Sequence, residues 1–286
     1  MIRWIAFTVL GLAATAFAQP VIHVSAAISL REALEKTAVE FKSAEGCEIK
    51  FNFGASGVLA AQVEQGAEVD IFIGASHRHV DQLIQKGTVE KESKTVIARN
   101  ELVLVTPAAS TQIASFQDLA ADTTGKVAIG EPRTVPAGEY AMQTFDGLTL
   151  STAVAPKLIF GATVRQVLDY VVRGEVDAGV VYRTDAIVAG AAVRVAAVAD
   201  ESWHTPIEYP SVIVGSSQSK ELSRKYITFL QSEAGQEILC KRGFATTRPT
   251  THPATQPSTQ ATSPEPSTAT PTTAPVTVPV SESPAP

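Results

Sequence analysis

Beyond its first eighteen residues the sequence has no apolar run approaching the roughly 20 residues a helix needs to span a bilayer, so no membrane-spanning helix is expected there. It has no basic run, and its formal net charge is −6. That balance argues against nucleic acid or an anionic membrane as partner, but not against a small anion, which is held by local dipoles rather than by net charge. Histidine is scarce: His23, His77, His79, His204 and His252 are all there are. None sits in a frame that marks a general base, no G-x-S-x-G elbow surrounds Ser56, and no Ser-His-Asp set can be assembled. There is no P-loop and no G-x-G-x-x-G after a strand, and no internal repeat that would signal a solenoid. His77-Arg78-His79 diverges on a helix, so it reads as a solvated loop or helix start rather than a metal site. Cysteine is nearly absent, with only Cys47 and Cys240. In an oxidising compartment a bridge closing so long a loop could add about 2–4 kcal/mol. The alternative is two buried thiols, and sequence separation does not decide between them.

Two segments at the ends read as processing or tail. Residues 1–18 carry one positive charge (Arg3), an apolar stretch from Trp4 to Leu12 and the ending Ala16-Phe17-Ala18. This is the layout of a secretory signal peptide cleaved after Ala18. No Cys follows the cleavage position, so a lipid-anchored form is not expected. Loss of Arg3 leaves the mature chain one unit more negative, and it is expected to be soluble and exported. Residues 249–286 hold ten of the seventeen prolines and ten threonines, with no Lys, Arg, Phe, Trp or Tyr. Such a composition buries too little apolar surface to offset the entropy of ordering, so residues 248–286 are expected to be a disordered or polyproline-like tail. A stalk, a wall-spanning spacer, a glycosylated tail or an inert extension would all suit it.

Between these ends the pattern is α/β. Strand-like runs at 21–25, 48–53, 70–73, 101–105, 126–129, 178–181, 193–197 and 212–214 alternate with helix-like stretches such as 30–41 and 58–63. That alternation predicts βαβ units and a mostly parallel sheet, and some 230 residues of it suit two lobes better than one.

Four places join a strand end to small or hydroxylated residues and then a helix. They are Ser25-Ala26-Ala27-Ile28-Ser29-Leu30, with Ser29 expected at the N-cap, and Gly54-Ala55-Ser56-Gly57, opening a helix from Val58. The others are Val135-Pro136-Ala137-Gly138, where Pro136 suits a first turn, and Gly161-Ala162-Thr163-Val164-Arg165, where Thr163 caps a helix running to Val172. Each offers free backbone N–H groups and the positive end of a helix dipole, a ready-made anion site. In open α/β sheets such turns gather at the carboxyl ends of the strands. Any one of them alone is most simply an ordinary N-cap; the four together, short of cationic side chains, are a better signal.

These motifs carry a resemblance. The runs Ala26-Ala27-Ile28-Ser29-Leu30, Gly54-Ala55-Ser56-Gly57-Val58-Leu59-Ala60, Val69-Asp70-Ile71-Phe72-Ile73-Gly74-Ala75, the stretch from Gly130 to Ala141, Val164-Arg165, and the stretch from Arg173 to Ala186 resemble the periplasmic molybdate-binding proteins of ABC importers. The likeness runs in order, nearly without gaps, from about Val21 to Phe244. It implies a type II periplasmic-binding-protein fold: two α/β lobes joined by two crossover strands that form a hinge, with the ligand cleft between them. The implied lobes are 19–101 with 208–247, and 102–207, crossing near 100–106 and 207–214. It also implies an extracytoplasmic, periplasmic carrier, a monomer and not an enzyme, that uses no cofactor. Such a carrier captures molybdate or tungstate and passes it to a membrane permease and its ATPase.

By that resemblance Ser29 and Ser56 give hydroxyls, Ala137 and Val164 give backbone N–H groups, and Tyr182 gives its phenol. By pattern alone Tyr182 reads equally well as an aromatic packing at a strand end. Two positions depart from the family pattern: Ile28, where a smaller residue is common, and Glu131, where Asp is. The donor set suits molybdate, a fully deprotonated dianion whose oxygens all accept. A phosphate carrier needs an acceptor for the remaining proton, and none of these turns carries a carboxylate. Seven or so charge-assisted hydrogen bonds, at about 1.5–3 kcal/mol each, support sub-micromolar affinity. Sulfate is smaller, so it is discriminated by pocket size; tungstate is nearly the same size and is not. The rival reading is a carrier of the same fold for sulfate or an organic acid. Arg165 would pair with a carboxylate ligand, although a surface or hinge salt bridge suits it better.

Overall fold

β1 (Val21–Ala27) is buried from Val24 to Ala27, which is why small and branched residues fill it without polar alternation. In the computed structural model, which describes residues 19–246, it lies inside the first of two five-stranded sheets. The expected signal peptide (1–18) and the expected tail (248–286) lie outside the described residues. Among the described residues no helix is long and apolar enough to cross a membrane.

The first sheet is ordered β2 (Glu48–Gly54), β1, β3 (Ile71–Ile73), β10 (Glu208–Ile213), β4 (Thr95–Arg99). The second is ordered β7 (Leu158–Gly161), β6 (Val127–Gly130), β8 (Ala178–Tyr182), β5 (Leu102–Pro107), β9 (Val193–Val198). The sheets repeat one plan. Four of the five strands in each run in one direction, and the fifth runs against them between two of these: β10 between β3 and β4, and β5 between β8 and β9. The expectation of a mostly parallel sheet is therefore corrected to two mixed sheets. The reason is topological: β5 and β10 each arrive from the other sheet, and a strand entering from outside the βαβ winding can run against it. The chain passes from the first sheet to the second at Asn100 and Glu101 and returns through residues 199–207. The two passages touch, with the Asn100 N–H donating to the Ile207 carbonyl at 3.1 Å.

Helices cover both sheets. Around the first pack α1 (Arg31–Glu45), α2 (Ser56–Glu64), α3 (His77–Gln85), α8 (Lys220–Gln231) and α9 (Glu233–Lys241). With the second go α4 (Pro136–Gly147), α5 (Ser151–Val154), α6 (Val164–Val172) and α7 (Arg183–Ala189). Their ends obey local rules. Gly46 closes α1 at φ +65°, a left-handed conformation that suits glycine. Pro136 occupies the first turn of α4, where its missing N–H costs nothing. Thr163 caps α6 by accepting from the Gln166 N–H at 3.1 Å. Gly138 lets α4 lie directly on β6, since a Cβ there would stand 1.9 Å from the Gly130 carbonyl oxygen. Both cysteines are free; Cys47 is buried and Cys240 exposed, so neither a bridge nor a pair of buried thiols describes them.

Candidate functional site

Each parallel strand releases its helix at one end of the sheet, and four of these releases converge. The site is built from the first turns of α2, α4 and α6, the turn of 3-10 helix at Ile28–Leu30 that leads into α1, and the end of β8. The pocket between them is lined by Ala27, Ile28, Ser29, Gly54, Ala55, Ser56, Ala75, Val135, Pro136, Ala137, Val164 and Tyr182. Ser29, Ser56, Ala137, Val164 and Tyr182, the five residues singled out in the sequence, are thus brought together, and none is left outside. The space between these residues is nearly closed: about 10 Å³ is open to the centre of a water-sized sphere. That is close to the least that holds one water and far below drug-sized ligand sites, so even a ligand of a few atoms enters only as the surrounding turns part. Larger hollows, such as the one between α1 and α9, lie on the outer surface.

No lining residue is charged. The attraction for an anion comes instead from helix termini. Ser56, Ala137 and Val164 stand in first turns, where backbone N–H groups have no intrahelical acceptor and the dipole is positive. Two local expectations are refined. Ser29 lies within the 3-10 turn rather than at the N-cap of α1, and α2 begins at Ser56, two residues before Val58. Ile28 does face the pocket, so it trims the space.

The hydroxyls are oriented from behind. Ser56 Oγ accepts the Ala75 N–H at 3.0 Å, which leaves its own hydrogen free. Ser29 Oγ lies 3.0 Å from the Tyr209 hydroxyl. The Tyr182 hydroxyl is buried and has no hydrogen-bond partner. Burial pushes its pKa well above the ordinary phenol value, so it remains a neutral donor. A buried, unpaired phenol costs roughly 1–3 kcal/mol, a cost that a ligand oxygen would remove.

Arg165 is not part of this pocket. Its Nη atoms donate to both carboxylate oxygens of Glu32 at 2.7 and 2.6 Å, and its Nε donates to Asp185 at 2.6 Å. It therefore ties α6 to α1, from one sheet's helices to the other's. Burial pushes the fully buried Asp185 carboxyl up to about 6, against the pull of the Arg165 guanidinium.

The same seam is held elsewhere. Gly57 N–H donates to the Thr134 carbonyl at 2.9 Å, Tyr140 OH donates to the Ala75 carbonyl at 3.3 Å, and Arg78 reaches Arg133 O and Glu139. His79 lies buried beside Gly57 with its Nε2 unpaired; burial, aided by Arg78, lowers its pKa to about 4. Sequence reasoning gave no role to Tyr209 or Asn100, and read Gly57 only as part of an anion-binding turn. The partners Tyr209 and Asn100 share with the site, and the Thr134 partner of Gly57, lie more than seventy residues away.

Two mirrored α/β sheets enclosing a small donor-lined pocket define a two-lobed solute-binding protein. Residues 22–245 match the family model for bacterial extracellular solute-binding proteins, and the chain belongs to that family. YvgL of Bacillus subtilis, by its name an ABC transporter substrate-binding lipoprotein, is 37% identical over 225 residues, covering 78% of this chain and 85% of its own. The molybdate-binding protein ModA of Haemophilus influenzae is 35% identical over 245 residues, 84% of this chain and 96% of its own. The periplasmic molybdate-binding protein of Azotobacter vinelandii superposes with a TM-score of 0.71 over 79% of this chain and 100% of that one. At 22% identity that likeness speaks for the fold, the type II periplasmic-binding-protein architecture. Members of this family are transport components rather than enzymes.

Proposed function

We propose that this protein captures molybdate, and equally tungstate, between its two lobes outside the cytoplasm and presents it to the permease and ATPase of an ABC importer. Ser29 and Ser56 contribute hydroxyls, Ala137 and Val164 contribute backbone N–H groups, and Tyr182 contributes its phenol. The observation that carries this reading is the Tyr182 hydroxyl: buried, unpartnered, and lining a small pocket with no charged side chain. A fully deprotonated tetrahedral oxyanion takes only donors, and this pocket's side-chain hydroxyls and helix N-termini are donors. A carboxylate ligand would call for a cation, and Arg165 is engaged with Glu32 and Asp185 instead. The molybdate-binding name of the Haemophilus relative supports the same reading.

Residues 19–101 with 208–247 form one lobe in this proposal and residues 102–207 the other, hinged at the two crossings near 100–106 and 207–214. Ligand touched by both lobes favours the closed arrangement, which is the form a permease would recognise. Thermal unfolding tests the reading. Molybdate or tungstate at about 1,000 times its dissociation constant adds about 4 kcal/mol by linkage, whereas equal phosphate adds little. A larger upward shift with phosphate, or none with either heavy oxyanion, overturns it.

A further inference from the structure

Behind Ser29 lies a chain of hydrogen bonds that ends at the passage between the lobes. Asn100 is the first residue after β4, and its orientation is fixed because its Oδ1 accepts the Glu101 backbone N–H at 2.9 Å. A backbone N–H can only donate, so the amide nitrogen faces the other way. Nδ2 then donates to the Tyr209 hydroxyl at 3.0 Å and to Thr184 Oγ1 at 2.9 Å. Tyr209 has no solvent exposure, and its ring is held between Tyr182, 6.0 Å away, and Phe244, 5.4 Å away. With an acceptor position taken by Asn100, the phenolic proton has one partner in reach, Ser29 Oγ at 3.0 Å. If Ser29 donated to Tyr209 instead, the buried phenolic hydrogen would have no acceptor, the more costly arrangement. The polarity therefore runs from Asn100 to Tyr209 to Ser29, and the Ser29 hydrogen is left for the pocket. Ser56 is set the same way by the Ala75 N–H.

We propose that Tyr209, aligned by Asn100, is a positioning and specificity-determining residue of the pocket: by donating to Ser29 Oγ it commits the Ser29 hydroxyl to donating, and so selects fully deprotonated anions over protonated ones. This rests on the oxyanion reading above. Sulfate and hydrogen phosphate are tetrahedra of similar size that differ in carrying a proton, so their ratio reads donor polarity separately from pocket size. Without the Tyr209 hydroxyl, Ser29 Oγ can accept as well as donate, and the penalty on a protonated oxyanion falls.

The test is calorimetric titration of the full chain and its variants with molybdate, sulfate and phosphate at pH 7, weak ligands being measured by displacement of molybdate. Tyr209→Phe keeps the ring, and its apo melting temperature verifies that the fold is intact. We expect molybdate binding to weaken about tenfold, the range of one charge-assisted hydrogen bond, and the preference for sulfate over phosphate to narrow by a similar factor. Asn100→Asp replaces the donor with an acceptor of the same shape. Tyr209 then donates to Asp, Ser29 donates to Tyr209, and the pocket loses a donor. It should weaken molybdate at least as much, yet add little in the Tyr209→Phe background, because both substitutions break one chain. Equal weakening of all three anions by Tyr209→Phe, unchanged binding, or fully additive losses in the double variant would each overturn the relay. A wild-type chain that binds no oxyanion would instead remove the functional reading itself, and the relay with it.

Discussion

Placing a single methyl group at Gly57 should hold the lobes apart. A Cβ built there stands 2.7 Å from Thr134 Cα and 3.0 Å from both His79 Cε1 and the Thr134 carbonyl oxygen. Carbon atoms rest at about 3.5–4.0 Å, so the seam must open by about 1 Å, and the obstacle on the Thr134 side is backbone that cannot rotate away. Overpacking of this kind costs about 1–3 kcal/mol. The Gly57 N–H to Thr134 O bond, 2.9 Å long, is strained or lost as well, at about 0.5–1.5 kcal/mol. The closed form of Gly57→Ala is therefore disfavoured by about 2–4 kcal/mol, which weakens molybdate binding roughly 30- to 1,000-fold. Within its own lobe the substitution has the opposite sign. Gly57 lies in the first turn of α2 and has no positive φ, and alanine is the better helix former by up to about 1 kcal/mol. Titration calorimetry and apo thermal unfolding of the same variant should thus diverge, with affinity falling while the melting temperature holds or rises. Binding within threefold of wild type would refute the closure argument. A melting temperature several degrees lower would show the methyl to be damaging the lobe rather than the seam.

Three further outcomes follow from the pocket and the seam. Ser56→Ala removes a donor without adding bulk and should weaken molybdate about ten- to a hundredfold, measured by titration; a change below threefold places the anion elsewhere. Tyr182→Phe deletes a hydroxyl that has no partner in the protein, so affinity should fall while the apo melting temperature stays level or rises, and silence in binding would make Tyr182 a packing residue only. Protonation acts at His79. Its pKa is depressed from the ordinary 6.5 to about 4 in the folded protein, so its contribution is complete above about pH 6.5 and is lost as pH falls towards 4. The melting temperature should drop over that window by more in wild type than in His79→Gln, and parallel curves would remove His79 from the pH response.

Local grammar made much of the molecule legible. Strand–small residue–helix junctions at Ser29, Ser56, Ala137 and Val164 are written in consecutive residues, and the structure gathers all four with Tyr182 around one pocket. The cap at Thr163 and the helix to Val172 stand where their residues predict them. Some elements were missed for physical reasons. β7 has only four residues and lies at a sheet edge, and β4 likewise lies at an edge, so neither has the long buried run that marks a central strand. α8 and α9 were not read, although α8 buries Tyr226, Ile227 and Leu230 on one face. The antiparallel course of β5 and β10 depends on which sheet each enters, and that is decided by pairings with β8 and β3 rather than by their own residues. The support behind the site is of the same kind. The Arg165 bridge to Glu32 joins residues 133 apart, and Tyr209 meets Ser29 from 180 residues away. Such contacts leave no mark in the local sequence, whereas the donors they orient do.

Titration calorimetry of the full chain with molybdate, tungstate, sulfate and phosphate, each titrated separately and then in competition, tests the central claim most directly. The pocket's donors predict one site per chain, sub-micromolar binding of molybdate and tungstate with little difference between them, and much weaker sulfate and phosphate. Preferential binding of phosphate, or of a carboxylate such as a small organic acid in a control titration, would contradict a pocket built only of donors.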